Sequence, residues 1–480
     1  MRLIPLIGAT YFMVSGGPYG LEDIIGGAGY GRALLLLLLV PLVWSLPTSL
    51  MVGELASALP EEGGYYRWVR RALGPFWGFQ EAWLSLAASI FDMAIYPVTF
   101  VLYLSRIAPT WTAGPRGTLW ALGVVVLCAA WNLRGARSVG QGSVAIFVLL
   151  LAPFGVLIVL GLYRAAFSPA ACSGCLVAGG LSAIPGTRPM WSHISANLRH
   201  SFTLLRAPAA TPSLAAALSV TLWNYMGWDN ASTVAQEVED PQRNYPRAML
   251  LSAALVAATY ILPLAAVGLA GIPADRFSTG AWADAAHTLG GQGIGGPILA
   301  FAVVLGGTLN GAGMFNALML SYARVPYALA ADGLLPRIFT RTTRADSNVP
   351  WVSILVCAFA WALALRLPFE RLISIDLVLY GAALVLEFVA LVVLRVREPA
   401  LPRPFRIPGG VPAVILAGVG PTLLIAFALY AARNEHVGPL PALLFAALVS
   451  AAGPLAWLLA RRFTAGPAAA AEPPSRLPPA

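Results

Sequence analysis

Eight carboxylates lie within apolar stretches of the sequence, where an ionised side chain is costly: Glu22, Asp23, Glu54, Glu81, Asp92, Asp229, Asp376 and Glu387. No arginine falls in the middle of any such stretch, and lysine is absent from the whole chain. A charge at a bilayer centre costs at least ~2.5 kcal/mol on insertion scales, so acids without fixed basic partners point to positive charge brought by a ligand or a proton. Asp92 and Asp229 carry this inference furthest. One sits beside Phe91 and Tyr96 and the other among Trp223, Tyr225 and Trp228, side chains able to wall an ammonium group through cation–π contact. The remaining acids have plainer readings as well. Glu54 and Glu81 lie roughly one helical turn from the end of a stretch and read as solvated there. Asp376 lies close to an end, Glu387 is either a structural hydrogen-bond acceptor or a ligand, and Glu22 with Asp23 either faces a cation or caps the helix that follows.

The elements that must hold these acids are membrane helices. Of 480 residues, 58% are hydrophobic and 11% charged, against about 25% charged in soluble chains. The apolar blocks approach the ~20 residues that cross a bilayer. Twelve segments follow: 3–30, 33–59, 76–105, 118–133, 140–163, 213–236, 247–271, 297–330, 350–366, 371–394, 411–432 and 440–460. The first is interrupted by Ser15-Gly16-Gly17-Pro18-Tyr19-Gly20 and the sixth by Trp223 to Asn230, so the breaks recur after five helices. Glycines at Gly26-Gly27 and Gly306-Gly307 read as helix-packing residues. Residues 15–20 do not, because three glycines, a serine and a proline in six positions remove helix propensity and a donor. Matching breaks in two halves point to a ligand site near the membrane midplane.

With the amino terminus inside, 19 of the 30 arginines fall in inner loops and ends and 11 outside, four of these in one long loop. Both termini are then cytoplasmic. The net charge of +9 reports orientation, and arginines scattered between apolar blocks do not form a nucleic-acid surface. The external loop 164–212 holds Cys172 and Cys175, a disulfide or two thiols outside any redox-enzyme context. All four histidines fall in external segments, the tail 463–480 has a disordered composition, and the first helix lacks the marks of a cleavable leader. Gly291-Gln292-Gly293-Ile294-Gly295-Gly296 follows no strand and reads as a loop rather than a dinucleotide site. No metal-binding or phosphate-binding motif is present, so neither enzyme chemistry nor a cofactor is expected.

Four stretches resemble the amino acid, polyamine and organocation transporter superfamily over nearly the whole chain. They are Gly53-Glu54-Leu55-Ala56 through Gly63-Gly64-Tyr65, Leu73-Gly74-Pro75-Phe76-Trp77-Gly78, Glu237-Val238-Glu239-Asp240-Pro241 through Pro246-Arg247-Ala248, and Arg324 through Tyr327 and Asp332-Gly333 to Pro336. Narrower features are similar to the polyamine uptake transporters: Val14 to Asp23, Asp92 to Pro97, Trp223 to Thr233, and Tyr380 through Glu387-Phe388. The chain departs from that group in span eight, where Phe315, Asn316, Leu318 and Met319 include no acid.

The resemblance implies an all-α membrane fold of the LeuT type: a five-plus-five inverted repeat over 1–163 and 213–394, with spans one and six broken, followed by two helices over 395–462. It implies alternating access and proton-coupled import of a small substrate through the cell membrane. Ser15, Gly16, Gly17, Glu22, Asp92, Tyr96, Trp223, Asn224, Met226, Asp229, Phe315 and Tyr380 are the expected binding residues, with Asp229 and Glu22 as expected proton carriers. A polyamine would meet the acids. An amino acid would place its carboxylate on the amides near Gly16 and Gly17, and its amine on Asp229 and span-six carbonyls. A channel or a membrane-bound enzyme would lack the paired breaks or need a catalytic cluster.

Overall fold

A computed structural model describes residues 1–167, 202, 214–343, 349–366, 369–431, 433, 436, 437 and 439–464. The pair Cys172 and Cys175 and all but the start of the tail lie outside these residues. The described chain is helical apart from a two-residue strand pairing of His436–Val437 with Leu440–Pro441. Eight helical stretches among the described residues are long and apolar enough to cross a membrane, while Leu3–Val14 and Trp351–Ala364 are apolar but shorter.

Most helices fall on the segments expected from hydropathy, while 64–73 and 282–290 lie between them and 22–40 runs across the expected boundary at 30–33. In chain order they are α1 (Leu3–Val14), α2 (Glu22–Val40), α3 (Leu46–Ala58), α4 (Gly64–Leu73), α5 (Pro75–Ile107), α6 (Pro115–Asn132) and α7 (Ala136–Phe167). From residue 214 onward come α8 (Leu214–Trp223), α9 (Pro241–Leu269), α10 (Trp282–Gly290), α11 (Gly295–Tyr322), α12 (Arg324–Ala331), α13 (Trp351–Ala364), α14 (Phe369–Arg397), α15 (Gly410–Ala431) and α16 (Ala442–Thr464). Within α2, Gly29 leaves helical geometry at φ 75° and separates the first expected span from the second. Residues 291–294 form the loop before α11, as the failed dinucleotide match implied.

At the centre, α5 packs against α11 and α14, and α1 is held between α7, α9 and α11. Small residues permit these approaches. A side chain at Gly306 would strike the Tyr19 hydroxyl, and one at Gly307 would enter the Tyr103 ring. The outer surface is apolar, with Leu127, Val159 and Leu423 among the exposed side chains, as lipid-facing residues must be.

Two acids depart from the sequence expectation. Glu54 is not solvated but fully buried, receiving Arg395 through Nε and Nη2 at 2.5 Å each, the Ile407 amide at 2.8 Å and Arg403 at 3.3 Å. Arg395 comes from the last turn of α14 and Arg403 from the loop after it, which folds back over α3, and hydropathy along one span cannot reveal either contact. Glu81 is also fully buried, with the Ser85 hydroxyl at 2.7 Å. Removing one member of a buried pair leaves a stranded charge, at about 3–5 kcal/mol. Glu54→Gln is therefore expected to lower the thermal unfolding midpoint of the detergent-solubilised protein markedly, and Glu54→Gln with Arg395→Met to recover part of the loss. An unchanged midpoint in the single variant would remove this pair from the account of stability.

Candidate functional site

The two breaks meet. Helix α1 stops at Val14, and Gly17 and Gly20 take φ of 69° and 91° before α2 begins at Glu22. A side chain at Gly16 would overlap the Asn310 amide on α11. Helix α8 stops at Trp223, and Gly227 turns the chain with φ 92°. A Cβ at Gly227 would collide with the Met13 carbonyl oxygen, so this glycine lets span six touch the end of α1. The chain then continues from Asp229 to Glu237 as a 3₁₀ helix rather than the expected α-helix. The Asp-Asn-Ala-Ser-Thr run explains the difference, since short polar side chains bind nearby backbone; Thr233 donates to the Asn230 carbonyl at 3.0 Å.

Carbonyls released by the breaks are taken up by aromatic donors on other elements. Trp282 donates to Pro18 at 2.7 Å, Tyr260 to Asn224 at 2.6 Å, Trp44 to Tyr225 at 3.1 Å and Tyr245 to Ala231 at 2.8 Å. The Gly227 amide in turn donates to the Tyr380 hydroxyl at 3.1 Å.

Two cavities flank the junction and share Val14, Tyr96 and Trp223. The rings of Tyr96 and Trp223 lie nearly parallel, 22° apart with centroids at 6.3 Å, and belong to both linings. The outer cavity adds Gly16, Gly20, Asp23, Tyr103, Asn224 and Asn310. The inner one adds Asp92, Met226, Asn230, Tyr322, Asp376 and Tyr380. Asp92 accepts the Tyr96 hydroxyl at 2.6 Å and the Tyr322 hydroxyl at 3.4 Å. Asp229 stands directly behind the inner lining, accepting the Tyr380 hydroxyl at 2.5 Å.

Seven of the twelve expected site residues thus line a cavity: Gly16, Asp92, Tyr96, Trp223, Asn224, Met226 and Tyr380. Ser15 and Gly17 shape the turn instead, with the Gly17 amide donating to the Ser15 hydroxyl oxygen at 3.0 Å. Phe315 is fully buried against Trp361. Glu22 is enclosed, taking hydrogen bonds from the Gly20 amide at 2.7 Å, the Gly280 amide at 3.2 Å and the Tyr103 hydroxyl. These donors come from the first break, from Gly280 and from α5, so its carboxylate ties the break to its neighbours. Its neighbour Asp23 faces the outer cavity, with the Thr279 hydroxyl at 3.0 Å. Asn230, Asn310, Tyr322 and Asp376 were not anticipated. Two of them carried a signal, Asn230 as the end of the second break and Asp376 as an acid in an apolar stretch whose nearness to the span end concealed it.

Away from the junction, charged networks link α4 and the segment before it to α12. Asp332 receives the Tyr66 hydroxyl at 2.6 Å, Arg67 at 2.8 Å and Arg70 at 2.6 Å. Buried Arg324 binds Glu237 and lies 3.6 Å from Glu62. Burial pushes the Glu62 carboxyl above its ordinary range, against the pull of Arg324 and Arg67. Further out, a two-pronged contact from Arg71 holds Glu398 below the usual carboxylate range. No group of three or more metal-ligating side chains occurs among the described residues.

The amino acid permease family model matches residues 8–452. The chain belongs to this family. It is 33% identical over 431 residues to a probable polyamine transporter of Arabidopsis thaliana, covering 88% of this chain and 78% of that protein. It is 33% identical over 430 residues to the polyamine transporter PUT1 of Oryza sativa subsp. japonica, covering 89% and 73%. The serine/threonine exchanger SteT of Bacillus subtilis is 25% identical over 415 residues, covering 84% and 83%. The protein is accordingly a multi-pass membrane permease and not an enzyme.

Gly227 is the position where this junction is least tolerant. Alanine there meets both a left-handed backbone, costing of order 1–3 kcal/mol for a strained residue, and the Met13 carbonyl. Gly227→Ala is expected to lower the unfolding midpoint and reduce transport at least tenfold, whereas Gly123→Ala, where a Cβ has open space, leaves both unchanged. A Gly227→Ala protein with wild-type midpoint and transport would show that the breaks do not depend on this contact.

Proposed function

We propose that the protein imports a cationic amine of the polyamine class by proton-coupled alternating access. The observation that carries this is the inner cavity: two buried carboxylates, four aromatic side chains and no basic residue in its lining. Such a lining favours a cation through carboxylate contact and cation–π attraction. The names of the plant relatives support the same substrate class.

An amino acid fits this arrangement less well. The Gly17 amide, one of the groups that would receive its carboxylate, is already engaged by Ser15, and Asn310 covers Gly16.

In this reading the chain has twelve spans with both ends in the cytoplasm, and 1–163 and 213–394 are the two inverted repeats. Spans one, two, six and seven rock against three, four, eight and nine about the junction at Gly227. The Asp332 and Arg324 networks close the cytoplasmic side while the outer cavity receives substrate past Asp23. Asp92 faces the ammonium group, the Tyr96 and Trp223 rings cover its alkyl chain, and Asp229 exchanges a proton with each cycle. Glu22 serves as a fixed tie and not as a second carrier.

Uptake into proteoliposomes under an inward proton gradient tests this. Putrescine and spermidine are expected to compete with one another where neutral amino acids do not, and Asp92→Asn to raise the putrescine KM roughly tenfold or more, the scale of a lost charge-assisted contact. Competition by neutral amino acids with none by diamines would refute the cationic substrate. Asp229→Asn is expected to make uptake indifferent to the gradient; gradient-driven uptake at the wild-type rate would exclude Asp229 as the carrier.

A further inference from the structure

The inner cavity holds a carboxylate that the helix breaks do not account for. Asp376 on α14 is 1% exposed and lines the cavity with Asp92, yet neither of its oxygens meets a donor among the described residues. Hydroxyl groups around it are committed elsewhere: Tyr96 and Tyr322 to Asp92, and Tyr380 to Asp229. Asn230 directs its amide nitrogen toward Tyr322 at 3.5 Å and accepts the Ser321 hydroxyl at 2.8 Å. A buried carboxylate without donors costs free energy that a satisfied neighbour such as Asp92 avoids, and a ligand bearing donors removes that cost.

We infer that Asp376 and Asp92 together grip the leading end of the substrate, and that this end is an unsubstituted primary ammonium group. The inference rests on the cationic-amine reading and narrows it. A primary ammonium has three N–H donors, which matches the two open oxygens of Asp376 and the carboxylate of Asp92. A quaternary ammonium carries the same charge with no donor. It would gain only the aromatic faces and leave Asp376 unsatisfied. Asp376 is therefore a specificity residue: it distinguishes amines by their capacity to donate, where the Tyr96 and Trp223 rings distinguish them by charge alone.

Titration calorimetry on the full-length purified protein separates these contributions, with putrescine and its hexamethyl bis-quaternary derivative as probes. The wild type is expected to bind putrescine the more tightly. Asp376→Asn should raise the putrescine Kd roughly tenfold or more, the scale of a lost charge-assisted contact, and narrow the ratio between the two probes. Asp376→Glu should restore part of that ratio, which a merely misfolded or repacked site would not. An unchanged putrescine Kd in Asp376→Asn, or an equal loss for both probes, overturns the inference. So does competitive displacement of putrescine by sodium that Asp376→Asn abolishes, since the group would then serve a metal ion. If the wild type binds neither probe, the cationic-amine reading itself fails, an outcome distinct from each of these.

Discussion

Backbone groups freed inside a membrane have no water to turn to, and this protein breaks two helices at that depth. Everything near the site answers that constraint. Trp282, Tyr260, Trp44 and Tyr245 come from three separate elements, and each delivers one N–H or O–H to a carbonyl at or beside a break. Tyr19 and Tyr225 reverse the arrangement, reaching out from the breaks to the carbonyls of Val303 and Leu37. The irregular segments are thus tied to α2, α9, α10 and α11 through single long side chains. An aromatic residue suits this duty because its body packs as apolar core and only its tip is polar.

Charge is arranged by a second constraint. Arginine is the only strong base in the chain, and the buried arginines engage acids near the ends of helices: Arg395 with Glu54, and Arg324 with Glu237 and Glu62. Those pairs join α3 to the end of α14, and the start of α12 to the segments before α4 and α9. The acids at the helix breaks receive hydroxyl and amide donors instead. A neutral donor orients a carboxylate without cancelling its charge, whereas an arginine does both. The partner type separates acids that hold the fold from acids that remain able to attract a cation.

Hydropathy and the two glycine-containing interruptions were enough to place nearly every helix and to locate the junction, because a membrane span and a break within it are local properties of sequence. Asp92, Tyr96, Trp223 and Tyr380 were legible for the same reason, each being unusual for its surroundings. What stayed hidden was pairing across the fold. Glu54 looks solvated until the loop beyond Arg397 is seen to return over it, and Glu22 resembles Asp23 until Tyr103 and Gly280 are seen to enclose one and leave the other at the cavity. Asn310 and Tyr322 are ordinary residues within a helix. They acquire meaning only from the 284-residue reach between Tyr19 and Val303 that sets α11 against the first break.

The four acids around the junction form a graded series when their partners are compared. Glu22 has a donor on every side and no cavity to face. Asp229 is bonded to Tyr380 and stands behind the lining, while Asp92 is bonded to Tyr96 and lies within it. Asp376 lies within the lining and has no donor among the described residues. Desolvation is common to all four, so the difference lies in how much of it the protein itself offsets. A fold that satisfied every acid would have a more stable empty state and nothing left for a substrate to complete. Leaving Asp376 bare while saturating Glu22 places the unmet demand at the cavity, where the cationic substrate we propose would meet it, and keeps it away from the turn that must hold its shape.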